Sequence, residues 1–229
     1  MRPDLNNLRK IEENIYSSLS SDGGSPYDSK AKVYEFLIGT FLYNKLMWGT
    51  TPANYADFAR KAVKNCRGEI LDIGCGGLSQ TARVYSQIPN NLMLLDNSVE
   101  MLRIGKKRIS DELGKIPENI KFIHANAFEL PFENESVENI VSFGMIHLFD
   151  NKQEYINSIF RVLKPGGNFY FSSLTSDRDF SKKYIRFLQK RNEFGEAMSS
   201  GETLTLISEN AGNFEHYMSG SMIFIYGRK

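Results

Sequence analysis

The chain has 229 residues, of which 41% are hydrophobic, so it can bury one sizeable core with an appendage but is short for two independent domains. Its 28 basic and 27 acidic residues leave a net charge of +1, which excludes a global field that steers the whole molecule to nucleic acid or to an anionic membrane. No apolar run reaches the ~20 residues that a membrane helix needs, and the polar N-terminus lacks the apolar core of a signal peptide.

The first part of the chain is predicted to be helical. One helix is expected from about residue 5 to 19 and another from 30 to about 46, separated by a loop rich in serine and glycine at 20 to 26. Thr51 and Pro52 then predict a helix start, because threonine caps helices and proline is favoured at the first helical position. We therefore expect residues 1–65 to form an N-terminal helical cap or lid.

After residue 65 the pattern changes to short apolar strands that alternate with helices. We predict strands near 69–73, 91–96, 120–125, 138–143 and 167–174, with helices near 78–87, 98–113 and 151–163. This alternation is typical of an α/β domain with a mostly parallel, doubly wound sheet and helices on both faces. The domain is expected to span residues 66–229, with a helical insertion near 175–210 and a hairpin at 214–226.

A glycine turn closes the first of these strands, at residues 69 to 77 (EILDIGCGG), and Asp96 ends the second. Glycines let a backbone approach a ligand closely, and an acid about 20 residues beyond the turn suits the hydroxyls of a ribose. Asp72 puts a negative charge where a dinucleotide fold receives a pyrophosphate, and Ser79 stands in place of the third glycine of the dinucleotide motif. The charge suits a nucleoside cofactor whose other end bears an ammonium and a sulfonium.

The segment 71 to 77 resembles the first motif of class I S-adenosylmethionine-dependent methyltransferases, in particular the methyltransferase type 11 and quinone-type small-molecule enzymes. Residues 96 to 102 (DNSVEML) resemble the acidic post-motif of that family. Residues 126 to 132 (NAFELPF) and 161 to 167 (RVLKPGG) resemble two further segments of it. The resemblance implies a Rossmann-like seven-stranded sheet with an antiparallel last strand, and S-adenosyl-L-methionine as the cofactor.

The cofactor is expected beyond the carboxyl ends of the parallel strands, where ligands of open sheets bind. Asp72 is predicted to accept the cofactor's ammonium, with the alternative that it accepts loop amides. Asp96 is predicted to bind the ribose, and Asn97 to lie along the adenine edge. By the resemblance Asn126 also reads the adenine edge, although the family usually has aspartate there. The predicted cofactor-binding residues are Tyr27, Tyr34, Asp72, Gly74, Cys75, Gly76, Asp96, Asn97, Met101, Asn126, Ala127, Phe128, Ser142 and Phe143.

Two of these residues belong to a predicted lid. Residues 27 to 35 (YDSKAKVYE) resemble the lead-in of quinone-type and small-molecule methyltransferases, which folds over the cofactor. Tyr27, Tyr34, Tyr43 and Trp48 are the lid candidates, and the alternative is that they pack helices onto the sheet. Phe128 has the same two interpretations, as a cover for the adenine face or as a core residue.

His147 is the candidate catalytic residue, because it follows the strand that should face the transferable methyl group. An imidazole there could accept a proton from a substrate. The alternative is a structural histidine, since the family often carries His-Leu-x-Asp at this place. His124 and His216 are isolated, and Cys66 and Cys75 have neither disulfide nor metal spacing, so we predict no metal and a cytoplasmic location.

These features predict methyl transfer to a small-molecule acceptor by in-line displacement, with no nucleic-acid partner and no membrane span. Three alternatives stay open: a nucleic-acid methyltransferase, a noncatalytic cofactor-binding partner module and a nicotinamide-dependent oxidoreductase. A basic run at 182 to 191 is interpreted as the solvated face of a helix. The acceptor, its reacting atom and the oligomeric state are not encoded in these patterns.

Overall fold

The computed structural model describes residues 8–20, 44–191 and 193–229, and the structural statements below concern these residues. Within them the strands are β1 (Arg9–Glu12), β2 (Ile15–Ser17), β3 (Ile70–Ile73), β4 (Leu92–Asp96), β5 (Ile120–His124), β6 (Val137–Phe143), β7 (Leu163–Leu174), β8 (Asn213–Ser219) and β9 (Met222–Arg228). The helices are α1 (Pro52–Asn65), α2 (Ala82–Tyr85), α3 (Val99–Leu113), α4 (Lys152–Val162), α5 (Asp179–Gln189) and α6 (Ser200–Ser208), with a π-helical turn at Asn44–Trp48 and a 3₁₀ turn at Ile146–Leu148.

All the described strands form one sheet in the order β1-β2-β5-β4-β3-β6-β7-β9-β8. The strands from β2 to β7 pair in parallel, whereas β9 is antiparallel to both β7 and β8, and β1 to β2. The predicted mostly parallel α/β sheet with an antiparallel last strand is therefore confirmed. The chain runs outward from β3 in both directions, so the β3–β6 boundary is the switch point beside which such sheets bind ligands.

The predicted strand number and the first helix are wrong, because the sheet has 9 strands and residues 9 to 17 contribute two of them. Strand β2 pairs in parallel with β5, which buries Ile15 completely. Asn14 adopts a φ of 63°, the left-handed conformation that asparagine tolerates in the tight turn between β1 and β2. The open edge of β5 offers backbone hydrogen bonds, and these outweigh a short helical pattern. Residues 8–20 therefore extend the sheet and are not part of a helical cap.

The core lies on both faces of the sheet, and α1 anchors one side of it. Phe58 of α1 is 1% exposed, and its ring lies 4.9 Å from that of Phe224 in β9. The predicted start of α1 is confirmed, although Thr51 makes no side-chain cap bond. Ser98 does cap α3, because its hydroxyl accepts the N–H of Met101 at 3.2 Å.

Two predicted boundaries differ from the structure. The helix expected near 78–87 is reduced to the single turn α2, and β7 begins at Leu163, which pairs with Val137 of β6. Gly166 donates its N–H to the carbonyl of Lys229, and Lys229 donates to Gly167. Among the described residues, no helix is both long and apolar enough to cross a membrane.

Candidate cofactor and acceptor site

The loop between β3 and α2 is shaped by two glycines with positive φ. Gly74 has a φ of 75° and Gly76 a φ of 54°, both in the left-handed region that favours glycine. The amides of Gly74 and Cys75 donate to the carbonyl of Leu95 at 2.8 and 3.0 Å, which ties the loop to β4. A Cβ on Gly74 would lie 2.3 Å from the sulfur of Met145. Glycine is therefore required there both for backbone conformation and for the close approach of the β6 end.

Asp96 joins this loop to the end of β4. One carboxylate oxygen accepts the N–H of Gly76 at 2.9 Å, and the other accepts the N–H of Ser98 at 2.9 Å. Two backbone amides thus fix the orientation of the carboxylate at the carboxyl edge of the sheet. Each oxygen has a second acceptor site, so the group can still accept hydrogen bonds from the hydroxyls of a ribose.

Asp72 is a second carboxylate under the same loop, and it is 2% exposed. The hydroxyl of Tyr85 in α2 donates to it at 2.8 Å. Burial raises the pKa of Asp72 from 3.8 to about 7, the Tyr85 hydrogen bond opposes this rise, and the charge of Asp96 adds to it. A cation brought close would restore the ionised form. Tyr85 was missed by the sequence reasoning, because only the packing of α2 against β3 brings it to Asp72.

The expected adenine side lies between the ends of β4 and β5. Asn97 is exposed, and its carbonyl lies 3.2 Å from Nε2 of His124. The other ring nitrogen of His124 lies 3.0 Å from the hydroxyl of Ser17 in β2. The added strands are thereby connected to the predicted adenine edge through His124. No sequence signal indicated this connection, because it depends on the unpredicted strand β2.

The residues after β5 form a short turn beside this edge. The side-chain oxygen of Asn126 accepts the N–H of Phe128 at 3.0 Å, and the carbonyl of Ala127 accepts the hydroxyl of Ser158 at 2.6 Å. The ring of Phe128 packs edge-on against Phe149, with centroids 4.9 Å apart. These contacts favour the core interpretation of Phe128. Met101 is buried at the start of α3.

Ser142 and Phe143 end β6 at the predicted site. Ser142 is fully buried, and its hydroxyl lies 2.9 Å from the carbonyl of Ile73 and 2.6 Å from the hydroxyl of Tyr155. It therefore connects β6 to β3 and α4 within the protein interior. The ring of Phe143 packs against Phe58 of α1, with centroids 5.4 Å apart.

His147 is 7% exposed and held by backbone contacts. Its Nδ1 accepts the N–H of Leu174 at 3.1 Å, and its ring stacks on Phe194 with centroids 4.6 Å apart. Burial, and to a lesser extent the charge of Lys152, lowers the pKa of His147 from 6.5 to about 3. Because Nδ1 acts as an acceptor, the neutral ring carries its proton on Nε2. This geometry favours the structural alternative over a general base.

The predicted lid residues are only partly described. Tyr27, Tyr34 and Tyr43 lie outside the described residues. Trp48 is 5% exposed and packs between Tyr184 of α5 and Phe194, with ring centroids 5.4 and 6.3 Å apart. These contacts favour the packing interpretation of Trp48.

The two cysteines, Cys66 and Cys75, are free thiols. In the part of the chain that the structure describes, no group of three or more histidine, cysteine or acidic side chains is placed to hold a metal ion.

A Rossmann-like sheet, a left-handed glycine loop and an acid at the end of the next strand define a class I S-adenosylmethionine-dependent methyltransferase. The model of the ubiE/COQ5 methyltransferase family matches residues 41–193, and the chain belongs to this family.

Relatives and solved structures agree with this assignment. The chain is 27% identical over 159 residues to "Demethylmenaquinone methyltransferase" of Clavibacter sepedonicus, which covers 68% of the chain and 59% of that protein. It is 37% identical over 125 residues to "Ubiquinone/menaquinone biosynthesis C-methyltransferase UbiE" of Wigglesworthia glossinidia brevipalpis, covering 53% of the chain and 46% of that protein. The chain thus spans about half the length of the curated relatives it matches.

Two solved structures show the same fold. A putative S-adenosyl-L-methionine-dependent methyltransferase of Methanococcus maripaludis has a TM-score of 0.62 at 18% identity, covering 92% of the chain and 97% of that protein. Phosphoethanolamine N-methyltransferase 2 of Haemonchus contortus has a TM-score of 0.64 at 18% identity, covering 83% of the chain and 43% of that protein.

Proposed function

We propose that this protein transfers the methyl group of S-adenosyl-L-methionine to a small-molecule acceptor. The observation that carries the proposal is the pair of carboxylates, Asp72 and Asp96, around the left-handed glycine loop of a ubiE/COQ5 family chain. Their negative charge suits an adenosine cofactor with a cationic end and disfavours a pyrophosphate. The same charge argues against the nicotinamide-dependent alternative.

In the proposed complex, Asp96 accepts the ribose hydroxyls while its backbone contacts keep the carboxylate in place. Asp72 accepts the ammonium, and the resulting attraction offsets the cost of a buried negative charge. The glycine loop supplies the space that side chains would fill. The bound sulfonium supplies an activated methyl group, so the protein has mainly to bind, to align the acceptor and to exclude water. His147 is proposed to hold the strand ends in position and to stay neutral.

We propose that the acceptor is a reduced, quinone-like aromatic ring that is methylated on carbon. The names of the curated relatives support this substrate class. The end of β6 is also aromatic, because Phe143 and Tyr55 are half-buried there and the Tyr55 hydroxyl would lie 3.7 Å from a Cβ on Gly144. Flat apolar rings are well suited to hold another flat apolar ring.

The segments that would cover the bound acceptor are also part of the proposal. We propose that the π-helical turn, α1 and the insertion with α5 and α6 form the acceptor cap. The predicted roles of Tyr27 and Tyr34 remain part of this proposal. The free thiols of Cys66 and Cys75 support a reducing, cytoplasmic location.

Labelled methyl transfer tests the proposed function. The protein would be incubated with methyl-labelled cofactor and one acceptor at a time. The acceptors are a reduced naphthoquinone without the ring methyl, the O-methylated analogue of this compound, and a metabolite extract. We expect label on the ring carbon of the reduced quinone. Cofactor that binds but stays intact with every acceptor would favour a noncatalytic cofactor-binding module. Label in nucleic acid would favour a nucleic-acid methyltransferase.

A further inference from the structure

Helix α5 carries a strongly basic outer face with an aromatic ring in its centre. Residues 179 to 191 contain five basic and one acidic residue, a net charge of +4 in a chain whose total is +1. The buried side of the helix is marked by Ile185, which is 1% exposed. Phe187 lies about 200° further around the helix and is 52% exposed. The balanced total charge therefore conceals a local concentration of positive charge.

The basic residues surround Phe187 on that face. Lys183 lies four positions before it, and Lys190 and Arg191 lie three and four positions after it, the spacings that bring helical side chains together. All three are exposed, and the guanidinium carbon of Arg191 lies 5.7 Å from the Phe187 ring centroid while its Nε donates to the carboxylate of Glu193 at 3.0 Å. An exposed aromatic ring within a ring of cations is the pattern of a helix that lies in the headgroup region of a bilayer.

The helix is also rigidly attached to the carboxyl edge of the sheet. The hydroxyl of Ser181 donates to the carbonyl of Met47 at 3.2 Å and lies 2.6 Å from the hydroxyl of Ser221, just before β9. Trp48, Tyr184 and Phe187 form a continuous row of rings from the core to the surface, with centroid distances of 5.4 and 6.0 Å. A surface bound at Phe187 therefore has a fixed position relative to the site.

A second exposed apolar residue lies in the turn that packs on this helix. Leu46, in the π-helical turn, is 61% exposed, the largest value among the exposed large hydrophobic side chains described. A leucine cannot stack on bases, whereas a bilayer accepts both leucine and phenylalanine. This difference favours lipid over nucleic acid as the anionic partner.

We propose that the outer face of α5, together with Leu46, binds the surface of a bilayer that contains anionic lipid. Lys183 and Lys190 contact the headgroups, and Phe187 enters the boundary between headgroups and acyl chains. The carboxyl edge of the sheet then lies against the bilayer. Binding does not depend on the proposed methyl transfer, so it can be measured without activity.

Vesicle sedimentation of the whole chain tests this. Phosphatidylcholine vesicles with phosphatidylglycerol should bind the protein, phosphatidylcholine alone should bind it weakly, and added salt should release it. Phe187→Ser should weaken binding about tenfold through lost apolar contact. The double change Lys183→Gln with Lys190→Gln should weaken vesicle binding tenfold or more, because each lost charge should weaken binding about fivefold.

Helix α3 offers matched controls. It ends in Leu113, which is 40% exposed, with exposed Lys107 and Lys115 nearby. Leu113→Ser and the double change Lys107→Gln with Lys115→Gln should leave vesicle binding unchanged. Melting temperatures of all variants exclude unfolding as the cause.

A second measurement reports insertion directly. Phe187→Trp should show a blue shift of its emission with the anionic vesicles, after subtraction of the signal of Trp48 in the unchanged chain. Three results would overturn the proposal: equal binding to both vesicle types, an equal loss of binding in the α3 controls, or the absence of a blue shift. The proposal is also overturned if the vesicles do not bind the protein and single-stranded nucleic acid binds both the unchanged protein and Phe187→Ser.

Discussion

The proposed cofactor half and the proposed acceptor half of the carboxyl edge are built on different principles. In the cofactor half, backbone amides determine the geometry, since the Gly76 and Ser98 N–H groups orient Asp96. In the acceptor half, side chains from distant segments meet, as when Trp48 packs between Tyr184 and Phe194. The comparison teaches that a cofactor site can be specified by a short stretch of sequence, whereas an acceptor site depends on the packing of the whole fold.

The largest expected effect breaks the backbone geometry of the cofactor half. Gly74→Ala adds a Cβ 2.3 Å from the Met145 sulfur at a φ of 75°. We expect a loss of more than about tenfold in cofactor affinity together with reduced stability, because the added Cβ strains the loop backbone and displaces the Met145 side chain. Calorimetry and thermal unfolding measure the two effects.

A matched glycine separates conformational strain from crowding. Gly114 has the same φ of 75° and no atom within 4 Å of an added Cβ. Gly114→Ala should cost only the left-handed strain of about 1–2 kcal/mol and leave cofactor affinity unchanged. An equal loss of stability in the two substitutions would contradict the importance of the close approach, because strain alone would then account for the effect of Gly74→Ala.

Removing the charge at the end of β4 should have the next largest effect. Asp96→Asn keeps the size of the side chain but loses charge-assisted hydrogen bonds, so affinity for S-adenosylmethionine should fall on the order of tenfold. Asp111→Asn on the exposed end of α3 is the control, with unchanged affinity expected. A folded Asp96→Asn protein with the original dissociation constant would refute the ribose role.

The pH dependence of the buried carboxylate tests the electrostatics of this half. Because the pKa of Asp72 is about 7 in the folded protein and 3.8 is its ordinary value, the native state holds a proton that the unfolded chain loses. The free energy of unfolding should therefore fall as the pH rises from about 4 to about 7. Asp72→Asn should remove this part of the slope in pH-dependent thermal unfolding.

Cofactor binding should show the opposite trend at the same residue. A cation favours the ionised carboxylate, so affinity should rise up to about tenfold per pH unit below pH 7 and level off above it. Tyr85→Phe removes the hydrogen bond that lowers the pKa of Asp72, so the rise should move to higher pH. Calorimetry over a pH series measures both, and a flat profile in the unchanged protein would contradict the ammonium role.

The smallest expected effect on turnover is that of replacing His147, which lies just after β6. His147→Leu leaves the buried Leu174 N–H without its partner, which should cost about 1–3 kcal/mol of stability, while turnover per folded molecule stays nearly unchanged. The ordinary pKa of 6.5 falls to about 3 in the folded protein, so acid destabilisation below pH 6.5 should also decrease. A loss of turnover of roughly a hundredfold with unchanged stability would instead identify a general base.

The sequence predicted the glycine turn after β3 and the acid at the end of β4 for a physical reason. The positive φ of Gly74 and the acid at the end of β4 are local requirements, and they appear as residue types at a fixed spacing. The pairing of Tyr85 with Asp72 and of His124 with Ser17 could not be predicted, because each depends on how separate segments pack. Strand β2 was missed for the same reason, since the edge of β5 and not the local pattern determines its conformation.

Calorimetric titration of the unchanged protein with S-adenosylmethionine and, separately, with NAD tests the central claim most directly. The claim is that two carboxylates around a left-handed glycine loop select an adenosine cofactor with a cationic end. We predict saturable binding of S-adenosylmethionine and no measurable binding of NAD. Binding of NAD with equal or higher affinity would contradict the claim.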